Sequence, residues 1–304
     1  MNEMNGGSLH SSGPVALIKI WHGPENERIP PMSLLFLGDA LKKAGYGVKA
    51  FHWTKAVALE HVDEVVSLAP LFVGFSIITG DPHATILEFG RRLKAARPSV
   101  PIVFGGVHPT IKPRQCLAED CVDFVVLNEG ERKIVSLADA IRDGASAERI
   151  RGVGYKRNGH VHVNDPPPLV NDLDEFAMDW SLIDIEKYII PYAGMGRVLK
   201  GFVVTRGCPH SCGFCYNQFF NERKWRRKSA PCAISELNSL VKAHRLDGVL
   251  FFDDNFTANR KWALDVLQGL SANAIHIETR IDYVTKEFLD ALVERNVKGL
   301  FFGI

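Results

Sequence analysis

Three cysteines on one short segment are the residues best placed to do chemistry: Cys208, Cys212 and Cys215, within Thr205-Arg206-Gly207-Cys208-Pro209-His210-Ser211-Cys212-Gly213-Phe214-Cys215-Tyr216-Asn217. Thiolates are soft ligands that favour zinc and iron–sulfur clusters. A structural zinc site takes four protein ligands, and here the fourth would have to be Cys232, His210 or His244. An electron-transfer cubane takes four thiolates, and no obvious fourth cysteine stands nearby. A third reading fits the spacing: three thiolates hold three irons of a [4Fe-4S] cubane and leave the fourth iron for an outside ligand. Cys116, Cys121 and Cys232 read as ordinary small residues, buried or surface.

Further candidates sit where apolar runs end. Asp253-Asp254 follows Val249–Phe252, and Arg280 follows the run from Ile275. Barrel active sites collect at strand C-terminal ends, although an acidic pair is also stabilised at a helix N-terminus. Arg280 could equally be an ion-pairing residue. Near the N-terminus, Ser76 and Thr79 lie at and just past the apolar run Phe72–Ile78, where open parallel sheets bind ligands. Gly105-Gly106 removes two side chains and lets a bulky group approach the backbone, unless the pair serves only a turn. His108 is a loop histidine, and Glu131 starts a helix.

Alternating strand-like and helix-like segments position these residues. Val15–Trp21, Val48–Trp53, Phe72–Ile78, Ile102–Phe104 and Phe124–Leu127 read as strands, with helices near Pro31–Ala44, after Asp81-Pro82, and at Lys133–Ile141. Gly45 suits a C-cap, and Asp81-Pro82 an N-cap and first helical residue. This βα succession predicts a doubly wound parallel sheet over 15–145. Asn158-Gly159 signals a hairpin, and Pro166-Pro167-Pro168 a linker, so 146–198 is read as a linker with a hairpin. From Gly201 the βα rhythm resumes with strands at Phe202–Thr205, Val249–Phe252, Ile275–Ile281 and Leu300–Ile304. Four strands fall short of a full βα barrel, which predicts an incomplete barrel over 199–304 in a truncated chain.

Composition bounds the rest. The 304 residues are 46% hydrophobic and 23% charged, with a net charge of +1. That balance offers no electrostatic basis for a nucleic-acid partner. No apolar run approaches the roughly 20 residues of a membrane span. Residues 1–14 are polar and Gly/Ser-rich, which predicts a disordered tail rather than a signal peptide. A cytoplasmic setting follows as the expectation, with thiols reduced, metal-bound or catalytic.

The C-x3-C-x2-C motif followed by Tyr216, after a barrel-type strand, resembles the signature of the radical S-adenosylmethionine (SAM) superfamily. The N-terminal stretches Pro30–Leu35, Gly74–Gly80, Phe104–Pro109 and Asn128–Glu131 resemble the cobalamin-binding domain that precedes many such barrels, so the likeness covers roughly 15–304. The resemblance implies that Cys208, Cys212 and Cys215 hold a [4Fe-4S] cluster. It further implies that SAM chelates the open iron near Tyr216, Asp253, Asp254 and Arg280, and that one electron cleaves it to a 5′-deoxyadenosyl radical. Cobalamin would lie against Ser76, Thr79, Gly105, Gly106 and His108. Ile20-Trp21-His22-Gly23-Pro24-Glu25 lacks the Asp and final Gly of the base-off motif, so water or no ligand is expected below the cobalt. The implied reaction is methyl transfer to an unreactive centre. Alternatives are a radical cyclisation or rearrangement with the same cofactors, and a non-catalytic cobalamin-binding module with a vestigial barrel. Expected partners are a small-molecule or natural-product substrate and an electron donor such as flavodoxin or ferredoxin.

Overall fold

The computed structural model describes residues 13–192 and 194–303; the expected tail falls mostly on residues 1–12, outside the described residues. Of that tail, Gly13 is ordered enough to form a parallel bridge with Pro70.

The first sheet contains strands β1 (Val15–Trp21), β2 (Val48–Thr54), β3 (Val73–Ser76), β4 (Ile102–Gly105), β5 (Phe124–Val126), β6 (Val153–Arg157) and β7 (His160–Val163). Its order is β2-β1-β3-β4-β5-β6-β7, and β1 to β5 run parallel. This is the doubly wound order with a switch point between β1 and β3. The central strands are buried on both faces, which explains their apolar sequences: Val15, Ala16, Leu17 and Ile18 are all at most 1% exposed. Helices α1 (Met32–Lys43), α2 (Val62–Ser67), α3 (His83–Ala96), α4 (Val107–Ile111), α5 (Pro113–Ala118) and α6 (Glu131–Arg142) complete this unit. Leu17 and Leu34 share a core with Leu137 of α6, whereas Phe75 packs with Phe89 and Leu93 of α3.

Of two local expectations, one holds and one is corrected. α1 does stop through Gly45, whose φ is +89° and whose N–H donates to Lys42 O at 3.0 Å. Asp81 and Pro82, however, do not open α3. Their peptide bond is cis, the helix begins at His83, and the Asp81 carboxylate pairs instead with Lys55 Nζ at 2.7 Å.

The boundary near residue 146 also moves. The Asn158-Gly159 turn has φ of 51° and 74°, the signs a two-residue type I′ turn requires. Its strands β6 and β7 extend the first sheet antiparallel to β5 rather than lying in a linker. The reason is edge protection: β5 is three residues long, and without β6 its backbone groups would lack partners. At the other end of the expected linker, β8 (Ile189–Tyr192) pairs antiparallel with β9 (Gly196–Phe202) and edges the second sheet. The connecting stretch between the sheets is therefore 164–188. It is anchored, with Leu173, Phe176, Met178, Ile185 and Tyr188 buried in the second core.

The second unit comprises β10 (Thr205–Arg206), α7 (Asn217–Phe220), β11 (Arg226–Arg227), α8 (Ala230–His244), β12 (Gly248–Phe251), α9 (Arg260–Gly269), β13 (Ala274–Thr279), α10 (Lys286–Val293) and β14 (Val297–Phe302). The sheet order is β14-β13-β12-β9-β8, with β9, β12, β13 and β14 parallel in sequence order, as in a βα barrel opened out. The first parallel strand is Gly196–Phe202 rather than Phe202–Thr205, because the apolar residues Val198, Leu199 and Phe202 carry it into the core and Thr205 has already left the sheet. Helix starts follow local signals: Ser229, Asn259 and Thr285 each accept a backbone N–H and cap α8, α9 and α10. No helix among the described residues is long and apolar enough to cross a membrane.

Candidate functional site between two sheets

The C-terminal ends of both sets of parallel strands border one cleft with a cavity volume of about 290 Å³. Ser33, Ser76, Gly105 and Gly106 form one side; Thr205, Arg206, Tyr216 and Asp254 form the other. Its interior is largely apolar, with Leu17, Met32, Phe36, Val103 and Phe252 among the lining residues. Large, mostly apolar clefts with a few convergent polar groups are characteristic of cofactor sites.

The cysteine loop occupies 207–225 and is closed at its base by the antiparallel β10–β11 ribbon, where Thr205 faces Arg227 and Arg206 faces Arg226. Gly207 makes the turn possible: its φ is +86°, and a Cβ there would meet Lys224 O at 2.2 Å. All three cysteines are partly accessible. Asn255 Nδ2 donates to Cys208 Sγ at 3.5 Å, and Arg280 Nη1 donates to Cys212 Sγ at 3.5 Å. The loop is braced inside by Gln218 Nε2, which donates to Cys212 O at 2.6 Å. Among the described residues no group of three His, Cys, Asp or Glu side chains is gathered as for a single ion. Cys232, His210 and His244, the possible fourth zinc ligands, are engaged elsewhere, with Glu236, Tyr283 and Glu186 respectively. Three accessible thiols, two of them already receiving N–H donors, are a donor set suited to a cluster, whose sulfurs are commonly hydrogen-bonded by the protein. Burial pushes the thiol of Cys116 up to about 12 and that of Cys232 up to about 11, which suits their reading as ordinary residues.

The paired aspartates separate into two roles. Asp253 is 1% exposed, and its Oδ1 accepts from Val204 N, Thr205 N and Thr205 Oγ1 at 2.9, 2.5 and 2.6 Å. It pins the segment leading into the cysteine loop and does not line the cleft. Burial raises its carboxyl to about 7 against those hydrogen bonds, with Asp254 adding to the rise. Asp254 does line the cleft; its Oδ2 accepts Gly207 N at 2.9 Å and its Oδ1 accepts Tyr216 Oη at 2.7 Å. Tyr216 is thereby fixed beside Cys215. Arg280 is an ion-pairing residue, its Nε and Nη2 binding Asp282 at 2.9 and 2.8 Å; its Nη1 reaches Cys212, and it stands outside the cleft lining.

Glu278 belongs to the same group and was missed. Burial, then Asp253 and Asp254, push its carboxyl up to about 7. A signal existed, since Glu278 alternates with the buried Ile275 and Ile277 on β13 and sits near that strand's C-terminal end.

On the opposite side, Ser76 and Ser33 hydroxyls share a hydrogen bond of 2.8 Å at the end of β3. Gly105 has open space beside it, with nothing nearer than 3.8 Å to a Cβ built there. Gly106 is required by its own backbone: its φ is +100° and a Cβ would meet Ile77 O at 2.7 Å. Thr79 and His108 do not line the cleft; Thr79 Oγ1 and His108 Nδ1 lie 3.3 Å apart, and the His108 ring packs edge-on against His83. His108 Nε2 is buried and has no partner. His22 is exposed and also outside the cleft lining.

An ionic network joins the two sides. Arg206 Nη1 binds Glu129 Oε1 at 2.9 Å, Arg206 Nη2 binds Glu131 Oε1 at 2.5 Å, and Arg226 Nη1 binds the same Glu129 oxygen at 2.6 Å. The Arg206 guanidinium lies over Phe36 and Phe176 at 4.8 and 5.3 Å. Although burial works against ionising Glu129, Arg206 and Arg226 outweigh it and hold the carboxyl below its ordinary value.

A doubly wound domain facing a βα-type sheet across a cleft beside a three-cysteine loop defines a two-domain cofactor-binding α/β protein. Comparison with known proteins agrees. Residues 26–138 match the B12 binding domain family. The chain is 30% identical over 292 residues to the anaerobic magnesium-protoporphyrin IX monomethyl ester cyclase of Synechocystis, covering 90% of this chain and 57% of that protein. It is 31% identical over 285 residues to an uncharacterized methyltransferase of Pyrococcus horikoshii, covering 90% of this chain and 60% of that one. Among solved structures, the radical SAM methyltransferase TsrM of Kitasatospora setae, with cobalamin and a [4Fe-4S] cluster bound, superposes with a TM-score of 0.73 at 16% identity, over 96% of this chain and 59% of that one. The cobalamin-dependent radical SAM enzyme OxsB, with aqua-cobalamin bound, gives 0.74 at 18% identity, over 96% of this chain and 44% of that one. The chain thus carries a B12 binding domain, is related over nearly its whole length to that cyclase and that methyltransferase, and shares the fold of the two solved cobalamin-binding enzymes. It spans a little over half the length of the two curated relatives described.

Proposed function

We propose that this chain carries out cobalamin-dependent radical SAM chemistry, with methyl transfer to an unreactive centre of a small molecule or natural product. One observation carries the reading: Ser76 and Gly105 on one sheet and Tyr216 and Asp254 on the other line a single cleft, beside the three-cysteine loop. When bound, the cluster would supply the electron that breaks the sulfonium bond of SAM, and cobalamin would carry the methyl group.

The chain's own residues then have defined tasks. Cys208, Cys212 and Cys215 hold the cluster, and Asn255 and Arg280 orient two of their sulfurs. Asp254 fixes Tyr216 and the Gly207 backbone, and offers carboxylate oxygen toward a ligand amine. Ser76, Gly105 and Gly106 would receive the corrinoid, while Thr79 and His108 stand outside the cleft lining. The apolar lining keeps water from the reacting centre. Electrons come from a donor such as flavodoxin or ferredoxin, and the reaction takes place in the cytoplasm.

Anaerobic reconstitution tests this reading. A [4Fe-4S]⁺ paramagnetic signal that shifts with SAM, together with a bound corrinoid band, is expected; zinc without iron would refute it. Ring closure is the second reading, favoured by the 30% identity to a cyclase. Isotopically labelled SAM separates the two, because only methyl transfer leaves its methyl group in the product. SAM cleavage that never starts in a chain with both cofactors bound would instead support a non-catalytic module.

A further inference from the structure

Glu129 sits on the turn that follows β5, in the first domain, yet among the described residues its carboxylate hydrogen-bonds only to residues beyond that domain. Its Oε1 accepts from Arg206 and Arg226, and its Oε2 accepts Val170 N at 3.0 Å. Arg206 and Arg226 are cross-strand neighbours at the base of the cysteine loop, one entering it and one leaving it. Two guanidiniums, 16% and 4% exposed, would repel each other there without a shared anion. The same turn also grips the loop farther out. Asn128 Nδ2 donates to Phe220 O at 2.7 Å, and from the loop's own base Arg226 Nη2 donates to Asn221 Oδ1 at 2.7 Å. Glu129, Gly130, Glu131 and Arg206 all line the cleft. A large ligand there removes water from the network, and lower local polarity strengthens each ion pair.

We propose that Glu129 is a positioning residue that couples the cleft to the cysteine loop: it clamps both ends of the loop, and a corrinoid filling the cleft tightens the clamp. The corrinoid half of this statement rests on the function proposed above; the clamp itself does not. By linkage the coupling is reciprocal, so ordering the loop also favours the ligand.

Hydrogen exchange on the cofactor-free 304-residue chain tests the clamp. Glu129→Gln should raise amide exchange across 207–225 by about tenfold while leaving α3 and α8 unchanged, and Glu131→Gln, which frees only one Arg206 contact, should raise it less. Aquacobalamin should slow exchange in 207–225 of the native chain and have no such effect in Glu129→Gln. After reconstitution, Glu129→Gln should retain the native iron content but show an altered [4Fe-4S]⁺ spectrum. Unchanged loop exchange in both variants, an equal rise throughout both domains, or an unaltered spectrum would each overturn the proposal. If aquacobalamin fails to bind the native chain, the functional reading fails, and the cofactor-free comparison alone decides the clamp.

Discussion

The two sides of the cleft are built on the same principle, parallel strands ending together, but with opposite chemistry. The first-domain strands β3 and β4 end in Ser76, Gly105 and Gly106, small and uncharged, while the Glu129 and Glu131 carboxylates on that side are neutralised by Arg206 and Arg226. The second domain places Asp254 on the cleft and three thiols beside it, with Asp253, Glu278 and Arg280 outside the lining; Asp254 and Arg280 hydrogen-bond to the cysteine loop. One surface is shaped to receive something large; the other is charged to bind and orient reacting groups. A large cofactor is recognised by shape and many weak contacts, whereas electron transfer and bond cleavage need a few strong, fixed charges.

This contrast predicts separable failures. The largest concerns the thiols: Cys208→Ser, Cys212→Ser or Cys215→Ser should each abolish cluster assembly, measured as iron content after reconstitution, yet leave aquacobalamin binding intact. Complete loss of both together would show that the first domain cannot hold its ligand without the cluster. Next, Arg226→Ala removes one partner of a buried ion network and should cost about 3–5 kcal/mol in urea unfolding. Gly106→Ala forces a Cβ toward Ile77 O on the first-domain side and should cost about 1–3 kcal/mol, with corrinoid affinity falling and iron content unchanged. The last effect is a slope rather than a single loss. Asp253 and Glu278 have folded values raised to about 7, so between the unfolded range near pH 4 and pH 7 the folded state binds more protons. Stability should therefore fall as pH rises through that window, by at most about 1.4 kcal/mol per pH unit for each carboxyl. Asp253→Asn should flatten the dependence, and an identical slope in that variant would place the titration elsewhere.

Legibility followed the range of the interactions. The cysteine motif was readable because its ligands fall within eight residues, and local spacing alone dictates how they can converge. Strand and helix periodicity likewise exposed the βα succession, because burial on a 2 or 3.6 residue repeat is written locally. The hairpin was legible from Asn158-Gly159, but its membership of the first sheet was not. That depended on the short β5 needing a neighbour. Adjacent aspartates looked equivalent in sequence; both lie past the end of β12, where the chain turns and leaves Asp253 buried against Val204 and Thr205 and Asp254 on the cleft. Thr79 and His108 were drawn to the cleft by proximity in sequence, whereas the fold pairs them with each other.

The amino-acid sequence by itself determined the cluster-type loop, the two α/β units and the family they resemble, because each rests on short-range pattern. Only the tertiary structure decided that the strand ends of both units share one cleft, and that Glu129 meets Arg206 and Arg226. Those residues lie 77 and 97 positions apart from it, and no local periodicity encodes a contact at that range. It arises when the connecting stretch, anchored by Leu173 and Phe176 in the second core, brings the two sheets face to face.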